Sequence, residues 1–196
     1  MNEIQAVKTA KIEEVKKNSK KGFTLVELVV VIAILAILAA IAIPVVSSTI
    51  TSSQRSSAKS NAQTIEVAIK EADAAISAKD DTVFIDKKNA TPSFKASSGS
   101  LTLANISTAK AIDSAVTATY QINGVNYSAY YDNDTQKVAF LGHDGKSVVN
   151  VDGTAYTGTN TVLLTDSKGG VDATVKFNGT GKADGKQASS PAKASK

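Results

Sequence analysis

The chain contains no cysteine, so disulfides, thiolate metal centres and cysteine nucleophiles are all excluded. Its single histidine, His143, sits in Gly142-His143-Asp144-Gly145, which reads as a surface turn. A Ser/His/Asp relay cannot be argued from one loop histidine. No glycine-rich phosphate loop precedes a helix. Aromatic residues are only 5% of the 196 residues, and the apolar residues crowd toward the N-terminus, so the C-terminal remainder has material for only a modest core. Charge of one sign is also scarce. Of the net +4, residues 1–22 contribute +3 (six Lys, three Glu) and residues 23–196 contribute +1 (sixteen Lys+Arg, fifteen Asp+Glu). That balance leaves no electrostatic footprint for nucleic acid. No catalytic set, cofactor or metal site is expected, and the chain does not read as an enzyme.

What is present is one long apolar run. Residues 28–43 carry no polar side chain, and the flanks extend the run over residues 23–46 to the ~20 residues a membrane helix needs. Lys16, Lys17, Lys20 and Lys21 stand just before it. Positive residues favour the cytoplasmic side, which puts the N-terminus inside and the remainder outside. A plain signal anchor would look similar. So would a secretory signal with Ala40-Ile41-Ala42 as its cleavage site, but that reading needs a shorter apolar region and leaves Glu27 unexplained. A carboxylate in a membrane helix is a functional hypothesis by default. The sequence offers Glu27 no partner nearby, except a free α-amine at Phe23. Such an amine, with a pKa of about 7.7–8.0, would be charged at neutral pH. It exists only if the chain is cut after Gly22.

The segment Lys20-Lys21-Gly22-Phe23-Thr24-Leu25-Val26-Glu27-Leu28 resembles the prepilin cleavage motif of type IV pilins and pseudopilins. The resemblance covers roughly residues 16–50. It implies a leader, residues 1–22, removed between Gly22 and Phe23 by a prepilin peptidase, and N-methylation of Phe23. It implies that Glu27, Phe23 and Pro44 serve assembly. It further implies a helical homopolymer of the chain itself, extruded by an assembly platform and its ATPase. The subunit would be stored in the cytoplasmic membrane and displayed as a cell-surface filament for adhesion, motility or biofilm. A pseudopilin of a secretion or DNA-uptake apparatus is the alternative. The sequence departs from the family in three ways: a 22-residue leader, Ala36 where many members have glycine, and no cysteine for the C-terminal disulfide loop of Gram-negative pilins.

Beyond Pro44 the pattern is amphipathic over residues 47–78. Ile50, Ala58, Ala62, Ile65, Ile69, Ala72 and Ile76 form one stripe, with Arg55, Lys59, Glu66, Lys70 and Asp73 opposite. Ala33, Ala36 and Ala40 share a face on which small side chains permit close helix approach. Residues 79–177 then read as a globular head: a loop region, a helix at residues 107–116 with Ser107 as N-cap, and strands. Asn123-Gly124 predicts a type I′ hairpin. Its register pairs Ile122 with Val125, Gln121 with Asn126, Tyr120 with Tyr127, Thr119 with Ser128 and Ala118 with Ala129. Asp132-Asn133-Asp134 reads as a turn; it lacks the glycine and terminal Glu of a calcium loop. Further strands are expected at residues 136–141, 148–151, 161–165 and 171–177, and a disordered tail at residues 178–196. The fold class is α+β: a long N-terminal helix, membrane-spanning in its first half, packed in its second half against an antiparallel sheet.

Overall fold

The computed structural model describes residues 22–86, 91–92, 94–108, 116–166, 169–188 and 191. The chain divides after Ser48 into two compact units. Helix α1 (Leu25–Ala78) begins in the first and ends in the second, with Pro44 inside it. It stops at Ala78 because Lys79 turns left-handed (φ 53°). The Asp80 and Lys79 amides then donate back to the Ala75 and Ile76 carbonyls, satisfying two orphan acceptors in a Schellman cap.

The second unit is the α+β head. After α1 come β1 (Ile85–Asp86) and β2 (Thr91–Pro92), a 3-10 turn (Ala96–Ser98), β3 (Leu101–Thr102) and α2 (Leu103–Thr108). Beyond them lie β4 (Thr119–Ile122), β5 (Val125–Asp132), β6 (Lys137–His143), β7 (Val148–Asn150), β8 (Thr161–Leu163), β9 (Lys176–Phe177) and β10 (Ala183–Asp184). The main sheet runs β4-β5-β6-β7, with β8 pairing onto β5, and all its ladders are antiparallel. A second sheet has the order β10-β9-β3, and β1 pairs with β2.

The hairpin register matches the sequence expectation at all four ladder pairs, from Ile122↔Val125 to Thr119↔Ser128, and the Ala129 amide donates to the Ala118 carbonyl. Asn123 and Gly124 both have positive φ (51° and 78°), as a type I′ turn requires. The reason is local: two residues tolerant of left-handed backbone stand between runs alternating with period two. Ile122, Tyr127 and Ala129 then face the core.

On α1 the buried residues are Ala58, Ala62, Ile65, Ala68, Ile69, Ala72, Asp73, Ala75 and Ile76. All but Asp73 join the core cluster with Tyr131, Phe140, Val162, Leu164 and Phe177. Edge-to-face ring pairs, Tyr120–Phe140 at 5.1 Å and Tyr131–Phe177 at 5.4 Å between centroids, fix the layers. Two stripe assignments need correction. Ile50 is 53% exposed. Asp73, placed on the solvent face, is only 8% exposed, because residues 178–181 fold over it.

Other expectations shift as well. The helix placed at residues 107–116 falls partly outside the described residues. Within them the helix is α2, starting four residues before Ser107. Ser107 is inside it, and Thr102 is the cap: its Oγ1 accepts from the Asn105 amide at 3.3 Å, while Asn105 Oδ1 accepts from the Thr102 amide at 3.1 Å. The strand expected at residues 136–141 is β6, shifted because Gln136 is left-handed (φ 55°) in the turn. Of residues 171–177 only Lys176–Phe177 form a strand, while Val171 bridges Thr165. His143 ends β6 rather than sitting in a turn, and its Nδ1 accepts from the Gly145 amide at 2.9 Å.

The sequence predicts a disordered tail over residues 178–196. Residues 178–188 instead form a hydrogen-bonded strap that includes β10, and residues 189–190 and 192–196 lie outside the described residues. Ser77 Oγ donates to the Gly179 carbonyl at 3.0 Å, and the Gly179 amide donates to Asp73 Oδ1 at 3.1 Å. The Tyr131 hydroxyl donates to the Gly181 carbonyl. Asn133 grips both sides of Ala183, its Oδ1 accepting from the amide at 2.8 Å and its Nδ2 donating to the carbonyl at 3.3 Å. Gln187 bridges Val162. Composition hides this because the strap is held through its backbone, which polar small residues provide as well as any.

Candidate functional site

Of the residues singled out for processing and assembly, Gly22 and Phe23 precede α1 while Glu27 and Pro44 lie within it; the rest of the leader, residues 1–21, lies outside the described residues. Thr24 is the N-cap. Its amide and its Oγ1 donate to Glu27 Oε2 at 2.9 and 2.8 Å, and the Glu27 amide donates to Thr24 Oγ1 at 3.2 Å. This is a reciprocal capping box, satisfying two first-turn donors that would otherwise be orphans. On sequence alone Glu27 has no neighbour but a free Phe23 amine; the structure supplies Thr24. The signal was in the sequence, since Thr24-Leu25-Val26-Glu27 has the Ser/Thr-x-x-Glu spacing of that box. A carboxylate at the positive end of a helix dipole is also favourably placed.

Phe23 is 89% exposed. A Cβ added at Gly22 would meet no described atom within 4 Å, and Gly22 has no left-handed φ. Nothing in the described fold therefore demands glycine at position 22. Pro44 lies on the exposed part of α1, as do Ala33, Ala36 and Ala40. Every residue from 22 to 48 is exposed within its own unit. Eighteen successive residues of this helix are long and apolar enough to cross a membrane, with none of that window buried.

Away from α1's start, a groove in the head is lined by Ala58, Ala62, Val138, Phe140 and Val151, and is flanked by a Lys59–Asp152 ion pair at 3.6 Å. Asp132 and Tyr156 form a hydrogen bond of 2.6 Å. Burial pushes the Tyr156 phenol up, and the Asp132 carboxylate beside it pushes it further. Asp132 itself is desolvated, but hydrogen bonds from Tyr156 and from the Thr135 and Asp134 amides outweigh that and hold it low. Among the described residues no group of three or more His, Asp or Glu gathers as a metal site. The Asp132-Asn133-Asp134 segment closes a turn and anchors the strap.

Comparison with known proteins points to a family through the N-terminal segment. Residues 17–43 fit the family described as the prokaryotic N-terminal methylation motif. That is the prepilin signature of type IV pilins and pseudopilins, a class of structural subunits. The apolar N-terminal helix and antiparallel C-terminal sheet agree with the α+β pilin fold. No curated protein and no solved structure matches the chain.

Proposed function

We propose that this chain is the structural subunit of a type IV pilus filament. The peptidase cuts between Gly22 and Phe23, Phe23 is N-methylated, and the apolar half of α1 packs against its copies. One observation carries the reading: the prepilin signature leads into a helix whose residues 25–48 are all uncovered in their own unit. Apolar surface of that extent needs an occupant, lipid before assembly and other subunits after it. The open space around Gly22 adds support. A glycine that the fold does not require is accounted for by a cleft that must admit the chain there.

In this reading Glu27 holds two partners in turn. Thr24 satisfies it in the precursor, and after cleavage the Phe23 amine of a neighbouring subunit pairs with it. Apolar packing is non-directional, so this pair sets the axial step between subunits. The test uses two variants in the producing cells. Glu27→Val removes charge and cap, whereas Glu27→Gln keeps a capping-box acceptor and removes only the charge. Both should insert, since a neutral side chain costs less than Glu in lipid. Both should be cut to mature size and give no sheared filaments by electron microscopy. Normal filaments from Glu27→Gln would overturn the pairing. Abundant filaments from the parent chain separate a pilus subunit from a pseudopilin.

A further inference from the structure

The strap contains an Asn-Gly dipeptide, Asn178-Gly179, whose surroundings resemble a small reaction centre. Its side-chain carbonyl is doubly engaged: Asn178 Oδ1 accepts from the Thr180 amide at 3.2 Å and from Thr180 Oγ1. Its amide nitrogen faces a carboxylate, Nδ2 donating to Asp184 Oδ1 at 3.4 Å. The two ends of the carboxamide are thereby told apart, with the carbon between them polarised by donors on its oxygen. The next backbone nitrogen, that of Gly179, points its proton at Asp73 Oδ1, 3.1 Å away. Asp73 is buried, and no described lysine or arginine pairs with it. Burial raises its basicity above that of an ordinary aspartate. Gly179 is sterically required, since its φ is +77° and a Cβ there would lie 2.7 Å from Ile76 Cγ2. Glycine also leaves the backbone nitrogen unshielded.

We propose that Asn178-Gly179 is a self-modifying junction, in which the Gly179 nitrogen attacks the Asn178 side-chain carbon. The bond from Gly179 N to Asn178 Cγ forms and the Cγ–Nδ2 bond breaks. Asp73 takes the amide proton as general base. Thr180 stabilises the oxyanion. The proton returns through solvent to the departing amine, which leaves as ammonia. Water then opens the five-membered imide at either carbonyl, so position 178 becomes aspartate or isoaspartate. The product places a carboxylate against Asp184 where an amide had donated to it. The strap is thereby loosened at the point where it crosses α1.

The same chain contains its own control. Asn123-Gly124 is also Asn-Gly, but Asn123 Oδ1 accepts from the Thr51 hydroxyl, and among the described residues no carboxylate accepts from the Gly124 amide. The experiment incubates the full-length chain in detergent micelles at neutral pH. Tryptic peptides are then mapped by mass spectrometry, with isoaspartate counted by enzymatic methylation. Asn178 should convert at least about tenfold faster than Asn123, well within what a general base supplies. Asp73→Asn keeps an acceptor for the Gly179 amide but is no base, and should bring Asn178 down to the Asn123 rate while Asn123 is unchanged. Thr180→Ala alters an exposed residue and keeps the backbone amide that also bonds Asn178 Oδ1. It should slow Asn178 by about tenfold, less than the loss of an oxyanion donor from a dry site, and it decides the matter should Asp73→Asn fail to fold. If these contacts only lock the strap, Asn178 will be slower than Asn123 and Thr180→Ala will speed it. Either result overturns the proposal.

Discussion

Replacing Asn133 by alanine tests whether residues 178–188 belong to the folded head. Asn133 is 9% exposed, and its carboxamide bonds both the amide and the carbonyl of Ala183, itself buried. The alanine variant leaves both groups of that residue without their partner. A buried polar group left unpaired costs about 1–3 kcal/mol. Two of them, relieved in part when the strap lifts and admits water, should cost about 2–4 kcal/mol together. For a unit of this size each kcal/mol moves Tm by roughly 2–4 °C. A fragment starting at Thr49, the second compact unit, should therefore melt about 5–15 °C lower as Asn133→Ala, followed by circular dichroism. Hydrogen exchange should show the Ala183 amide losing protection before that of Ala129 in the central strand. Ending the fragment at Phe177 should lower Tm at least as far. An unchanged melt in both the variant and the truncation would mean that the strap contributes nothing and that the Asn133 contacts are incidental.

Burial and charge set the remaining expectations. Ile65→Ala, at a fully buried position on α1, should cost about 2–5 kcal/mol in denaturant unfolding. Ile50→Ala, at an exposed position, should stay within about 0.5 kcal/mol of the parent. Burial raises the Asp73 pKa above its unfolded value, against the hydrogen bonds from the Gly179 and Gly181 amides. A raised carboxylate contributes stability in full below the unfolded pKa and loses it as pH climbs through the folded pKa. Asp73→Asn should thus match or exceed the parent's Tm at neutral pH, with any advantage vanishing on acidification below about pH 4. Asp144 and Asp152 run the other way, since hydrogen bonds from Ser147 and Thr154 hold them low, and the stability they add is lost as pH falls toward their folded pKa values. Gly22→Leu should leave the full-length precursor in the membrane fraction; a mature-sized band on a gel would refute the cleavage assignment.

What the sequence by itself determined is what short-range chemistry determines. The prepilin segment is legible because the unusual pairing of Gly22-Phe23 with an acid at Glu27 falls within a few residues and sits on an unbroken apolar run. The β4–β5 hairpin is legible to the residue because Asn123-Gly124 sets the turn, and period-two alternation then allows one register. The Thr24–Glu27 box was equally local and could have been read from its spacing. The rest is decided by pieces far apart in the chain. Asp73 looks like a solvent-face residue on its helical wheel and is buried only because Gly179, over a hundred positions later, lies on it. The strap looks disordered because its cohesion is backbone to side chain, Ala183 to Asn133 across fifty residues, and composition carries no record of which carbonyl a distant asparagine will meet. Ile50 continues the apolar stripe in period, yet its side chain stays exposed. Periodicity states which face of a helix can be buried; only the folded partner decides how far along that face the burial extends.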